Sequence, residues 1–191
     1  MTVAVELLFP TVFPVLETER LVLREVTETD ADALFQIHSD PETMRYWSGP
    51  PWRDRSKATE LLARAAQGYA EQARIRWGYT RRGDDTLIGV ANLHAIDAQS
   101  RRGELGYILH RAHWGHGYNH EALTRIVDWA FAELGLHRLE AELDPRNEGS
   151  ARAVERLGFV REGLLRERWI VEGEVSDSLM VGLLRAEWRA R

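Results

Sequence analysis

Residues 103–143 constrain this chain more than any other stretch. "GELGYILH" reads as a strand, "HWGHGYNHEALTRIVDWAFAELG" runs from two glycines straight into a helix, and "HRLEAEL" alternates like a half-buried strand. In the helix, Leu123, Ile126, Val127, Ala130 and Leu134 share one face, and Gly135 stands where a helix C-terminus favours glycine. In the second strand, Leu139, Ala141 and Leu143 alternate with Arg138, Glu140 and Glu142. Strand, helix and strand within about 40 residues make a βαβ unit. Its crossover sets the strands parallel and puts the helix N-terminus beyond the carboxyl end of the first, a position where ligands bind. The first amides of a helix lack partners within it and carry the positive end of its dipole, so they attract an anion. Gly115 and Gly117 leave the backbone from His116 to His120 bare enough to wrap a pyrophosphate. Taken alone, these residues also fit a glycine-eased turn that binds nothing. They are no P-loop, lacking Gly-Lys-Ser/Thr, and no dinucleotide fingerprint, lacking a third glycine.

The rest of the chain extends this α/β pattern without a repeat, a low-complexity run or a Gly/Ser linker, which predicts one domain. "TERLVLREV" (18–26) predicts a strand. A helix follows, capped by Thr27 or Thr29, with Leu34 and Ile37 inward. "YWSGPPW" (46–52) must be loop. From Ser56, read as a second cap, Leu61, Leu62, Ala65, Ala66, Tyr69 and Ala73 recur at helical spacing. "RIRWGYTR", a turn at "RGDD" and "TLIGVANLHAI" form a hairpin. A short capped helix, "NEGSARAVERLG", and the hairpin "FVREGLLRERWIVEGEVSDSLMVGLL" complete a mixed sheet.

Composition removes several functions. There is no cysteine, hence no disulfide, thiolate zinc site or cysteine nucleophile. No apolar run reaches the roughly 20 residues of a membrane span. The opening "MTVAVELLFPTVFPVLETER" lacks a basic leader and carries two prolines, so a cytoplasmic location is expected. A formal net charge of −5 argues against a nucleic-acid surface. His110, His113, His116 and His120 raise the question of metal. His116 and His120 have i, i+4 spacing, but Thr124 stands where a zinc-protease pattern needs histidine, so loop histidines and no metal are expected.

"RGELGYILHRAHWGHGYNHEAL", "LEAELDPRNEGSARAVERLGFVREG" and "RERWIVEGEVSDSLMVGLLRAEW" together resemble the GNAT acetyltransferases, in the branch of the Rim-type ribosomal-protein N-terminal acetyltransferases. The resemblance rests on order and spacing: the glycine loop, Asn147 with Ser150 three residues on, "RLGF", then Asp177 and Trp188. It implies an acetyltransferase domain over 17–188 after an N-terminal extension, 1–16. It also implies the GNAT fold, whose central parallel strands splay apart around acetyl-CoA. Backbone groups of Tyr107, Ile108 and Leu109 would bond the pantetheine arm, with the amide region of Leu109 stabilising the developing oxyanion. The amides of Gly115, His116, Gly117, Tyr118, Asn119 and His120 would hold the pyrophosphate, and Asn147 would contact the cofactor arm. Trp114 takes the loop's usual Gln/Arg place, and Asn119 at its end leaves less room for phosphates.

The resemblance further implies direct transfer of acetyl to a primary amine. Glu104 matches the branch's base, acting through water, and its plain alternative is a strand glutamate in a salt bridge. Many GNAT enzymes protonate the departing thiolate with a tyrosine whose place here is Val154. That leaves Ser150 as the thiol-handling group, against its alternative as a first-turn cap. Of seven tryptophans, Trp47 and Trp52 flank "SGPP" and either shape the acceptor pocket or pack in the core. An α-amino group with pKa about 7.7–8.0 is roughly a tenth neutral near pH 7, so an N-terminal acceptor needs only a modest base. Three readings follow: acetylation of a protein N-terminus, acetylation of a small amine such as a polyamine or antibiotic, and acyl-CoA binding without turnover. The expected partners are acetyl-CoA, an amine acceptor and a second copy of the chain, with no nucleic acid or membrane.

Overall fold

The computed structural model describes residues 7–189. Eight strands form one sheet: β1 (Leu16–Glu17), β2 (Leu21–Glu25), β3 (Ile75–Arg81), β4 (Asp84–Asp97), β5 (Arg102–Leu109), β6 (Arg138–Leu143), β7 (Val160–Val171) and β8 (Glu174–Leu184). Their order is β1-β2-β3-β4-β5-β6-β8-β7. Five helices accompany them: α1 (Ala31–Ser39), α2 (Ser56–Ala70), α3 (Tyr118–Ala132), α4 (Glu148–Arg156) and α5 (Arg185–Arg189). The single-domain mixed α/β architecture is the one the sequence predicts.

β5 and β6 are parallel, and their pairing is brief: Arg102 with Arg138, Gly103 with Leu139, Glu104 with Glu140. β5 runs on to Leu109 and β6 to Leu143 without further pairing, so the strands part and a wedge opens in the sheet. α3 makes the crossover between them. Leu123, Ile126, Val127, Ala130 and Leu134 are all fully buried, against Leu93, Leu105, Leu139 and Ala141 of one sheet face. Gly135 takes φ +85°, the left-handed conformation expected where α3 ends. The opposite face carries a second core, in which α1 and α2 cover Leu87, Val90 and Ile108. That cover is incomplete, and the uncovered part is the wedge.

Local details depart from the sequence reading around α2. Ser56 is the first residue of α2 rather than its cap; Asp54 satisfies the helix start by accepting from the Ser56 amide at 2.8 Å. Ala66 is exposed, and Ala73 lies past the end of α2, because the helix already stops at Ala70. The described part of the N-terminal extension packs on α2 and β3. Phe9 and Phe13 pack on Tyr69, each with ring centroids 5.3 Å apart, and the Tyr69 hydroxyl donates to the Pro10 carbonyl at 2.8 Å. Residues 1–6 of that extension lie outside the described residues.

His38 in α1 is buried, with Nδ1 2.8 Å from the Leu34 carbonyl oxygen and its ring stacked on Trp52 at 4.2 Å. Burial, more than the nearby Arg76, pulls its pKa down to about 4. Between that value and the ordinary 6.5 the unfolded chain binds a proton that the folded chain refuses, so stability is full above about pH 6.5 and falls as pH drops toward 4. The loss is on the order of 3 kcal/mol. Urea unfolding at a series of pH values should show His38→Gln losing less stability than wild type across this window.

Candidate active site

The wedge is the floor of a cleft of about 1290 Å³. At one end lies the glycine loop. Gly115 and Gly117 both take left-handed φ, +78° and +79°, which admits glycine at little cost and other residues with strain. Among the described residues, the amides of Gly115, His116 and Gly117 donate to no backbone carbonyl, and those of Tyr118, Asn119 and His120 are first-turn amides of α3, which have no helical carbonyl behind them. A Cβ on Gly115 would meet nothing within 4 Å, and one on Gly117 only Arg20 Nη2 at 3.4 Å. The space over these amides is therefore open and electropositive, which suits an anion such as a pyrophosphate.

The loop is held from outside by a residue the sequence reading missed. Arg20, in the turn between β1 and β2, donates to the His116 carbonyl at 2.9 Å, pairs with Glu121 at 2.6 Å and lies 4.7 Å over the Tyr118 ring. Glu121 also accepts from the Arg20 amide and the Thr18 hydroxyl. Nothing local in "TERLV" signals this clamp across about a hundred residues of chain. Trp114 fixes the loop's entry by donating its ring N–H to the Leu109 carbonyl at 2.7 Å. Asn119 lines the cleft and keeps a buried, unpaired side-chain oxygen. His116 stacks on Tyr118 with centroids 5.9 Å apart, and His120 is exposed. Among the described residues, no group of three or more side chains able to hold a metal ion is found.

The middle of the cleft runs along β5. Beyond Glu104 this strand keeps β4 on one side only, so its other edge is open along Tyr107, Ile108 and Leu109. The Ile108 and Leu109 side chains are buried in the second and the main core. The Tyr107 side chain turns toward α4, where its hydroxyl lies 2.6 Å from the Ser150 hydroxyl. Burial pushes this phenol up to about 12, so it stays protonated near neutral pH. Val154, at the position where the resemblance implies a tyrosine in many such enzymes, is buried in the main core. A phenol thus reaches the same cleft from β5 instead of α4, which strand alternation alone did not disclose.

Asn147 caps α4, its side-chain oxygen accepting from the Ser150 amide at 3.0 Å. The cap is Asn147, so the Ser150 hydroxyl is not the capping group. What Asn147 retains for a ligand is its side-chain NH2.

The other face of the wedge is polar and charged. His94, Glu104 and Glu140 lie side by side across β4, β5 and β6, and Arg76, Asn92 and Gly106 form the adjacent row. Glu104 is half-buried, and its carboxyl is raised above the ordinary glutamate range by that burial first, then by Glu142 and Glu140. His94 Nε2 faces it at 3.5 Å, but burial and the nearby Arg74 hold the imidazole below its usual pKa, so this pair is no strong salt bridge. Nδ1 of His94 lies 2.9 Å from both Asn92 Nδ2 and the Glu104 carbonyl oxygen, accepting from the first or donating to the second according to its tautomer. Glu142 is held by the Ser178 hydroxyl at 2.6 Å and the Trp169 ring N–H at 2.7 Å. Trp47 lines the cleft mouth. Trp52 does not line it: stacked on His38, it belongs to the second core, because the proline turn before it folds the chain back onto α1.

A single cleft therefore joins a loop of open amides, an open strand edge, a hydroxyl pair on one face and a raised carboxyl on the other. The comparisons with known proteins agree with that combination. Residues 20–160 match the family model described as an acetyltransferase (GNAT) domain. An uncharacterized N-acetyltransferase of Bacillus subtilis (strain 168), YoaA, is 35% identical over 173 residues, 91% of this chain and 98% of its own. The [ribosomal protein uS5]-alanine N-acetyltransferase of Escherichia coli (strain K12) is 27% identical over 180 residues, 91% of this chain and 92% of its own. In fold, the chain resembles the spermidine N-acetyltransferase of Vibrio cholerae solved with CoA and spermine, with a TM-score of 0.78 at 24% identity over 88% of this chain and 98% of that one. The chain belongs to the GNAT family of acetyltransferases and is an acetyl-CoA-dependent N-acetyltransferase.

Proposed function

We propose that the acceptor is a protein N-terminal α-amino group, acetylated by direct transfer within a domain spanning 17–188. The observation that carries this reading is the position of Glu104: one half-buried carboxyl, raised by burial and by two glutamates, facing the open edge of β5. A base of that kind suits an amine of pKa near 8 and is poorly matched to a lysine near 10.4. The likeness to the uS5-alanine enzyme supports the same acceptor class. Glu104 takes the amine's proton through a water. The loop amides from Gly115 to His120 hold the CoA pyrophosphate, the open edge at Tyr107–Leu109 holds the pantetheine arm, and Trp47 borders the acceptor. Ser150 donates toward the departing sulfur while the Tyr107 hydroxyl polarises it.

The test is acetyl-CoA-dependent thiol release across N-terminal peptides, polyamines and aminoglycosides. Peptides are expected to give the highest kcat/KM, and turnover confined to polyamines would overturn the reading. Ser150→Ala and Tyr107→Phe should each lower kcat about tenfold with little change in the KM for acetyl-CoA, and the double variant should lose less than the product of the two. Fully multiplicative losses would show that the two hydroxyls do not act as a unit.

A further inference from the structure

The wall facing Glu104 holds a cation with no ion-pair partner among the described residues. Arg76 lines the cleft from β3, and its Nε is buried without a hydrogen-bond partner. No ion pair involving Arg76 occurs among the described residues; burial first, then the charges of Arg74 and Arg64, pull its pKa down to about 10. Arg74 lines the same cleft beside it. Most buried charges are paired, since an unpaired one loses hydration with no return. Arg76 is close to other arginines as well, and no acidic side chain among the described residues pairs with it.

Its place in the sheet indicates what completes it. Arg76 pairs with Asn92, and Asn92 with Gly106, so Arg76 stands two strands, roughly 10 Å, from the open edge of β5. Gly106 precedes Leu109 by three residues, and the glycine loop lies farther on, which separates Arg76 by roughly 10 Å of strand from the pyrophosphate end of the cleft. Across the floor from the arginines stand Glu104, Glu140 and Glu142. The acceptor side thus has an acidic wall that attracts the amine and a basic wall that attracts an anion. A guanidinium edge matches the two oxygens of a carboxylate.

Resting on the proposed acetyl transfer, we infer that the acceptor is an amine carrying a carboxylate a few bonds away, which pairs with Arg76 while the amine faces Glu104. The carboxylate has two sources, an acidic side chain beside a peptide N-terminus or the α-carboxylate of a free amino acid. A polyamine, cationic along its length, would set charge against the Arg76 wall.

Matched probes test this on the full chain. The peptide Ser-Asp-Ala-Ala is compared with Ser-Asn-Ala-Ala, both C-terminally amidated, and free serine with serinamide. Each is assayed for acetylation and, by calorimetry, for binding to the CoA-loaded protein. Wild type should prefer the acid over the amide at least tenfold within one pair, and which pair does so identifies the source. In Arg76→Met that ratio should fall toward one, with CoA affinity retained and with a Tm no lower than wild type, because the variant removes a half-buried guanidinium that makes no ion pair among the described residues. Arg76→Lys should keep part of the preference. Equal use of acid and amide by wild type overturns the inference and leaves the transfer reading standing. Equal loss for both probes in Arg76→Met, or a lowered Tm, also overturns it by making the arginine structural. Acid-selective binding without acetylation of any peptide supports the inference and counts against the N-terminal acceptor.

Discussion

Glu104→Gln is expected to lower kcat/KM about a hundredfold or more, within the range a positioned base contributes, while acetyl-CoA binding is kept. The substitution preserves the side chain's size and removes a charge that burial first, then Glu142 and Glu140, disfavour, so the fold should not suffer. The pH dependence separates chemistry from positioning. Because the Glu104 carboxyl is raised, wild type loses its base as pH falls through that raised value, and activity is present above it. Without the base, only amine that is already neutral reacts, so the variant's rate should climb through the acceptor's own pKa, about 7.7–8.0 for an α-amine. A variant with wild-type rate and profile would mean that holding the reactants together suffices, and Glu104 would then serve only the sheet.

The features legible in the sequence are those written in local periodicity. Alternation in "HRLEAEL" and the apolar stripe from Leu123 to Leu134 were enough for the βαβ unit, since each depends only on which face is buried. The glycine loop was legible because left-handed backbone at a helix start needs glycine whatever surrounds it. Contacts between distant segments were not. Arg20 reaches His116 and Glu121 from a turn about a hundred residues earlier, and Tyr107 meets Ser150 only because α4 packs against the parted end of β5. The two prolines before Trp52 marked a loop correctly, yet only the stacking on His38 reveals that Trp52 is core while Trp47 borders the cleft. Arg76 was hidden for the opposite reason. Its significance lies in having no partner, and a sequence shows no absences of that kind.

Gly117→Val should weaken CoA binding at least a hundredfold in a protein that still folds. Two effects must be told apart. At φ +79° any side chain strains the backbone, by about 1–2 kcal/mol and more for a β-branched residue. Gly83, in the hairpin turn between β3 and β4, has φ +81° with nothing within 4 Å of its Cβ position and does not line the cleft, so Gly83→Val carries the same strain without placing a side chain there. The two variants should therefore lose similar Tm. Only Gly117→Val should lose CoA affinity, because its side chain would stand over amides that no backbone carbonyl among the described residues satisfies. The protein leaves that space open: a Cβ there touches nothing closer than Arg20 Nη2 at 3.4 Å. If calorimetry shows the folded Gly117→Val protein binding CoA as wild type does, the pyrophosphate lies elsewhere and the loop is a turn eased by glycine.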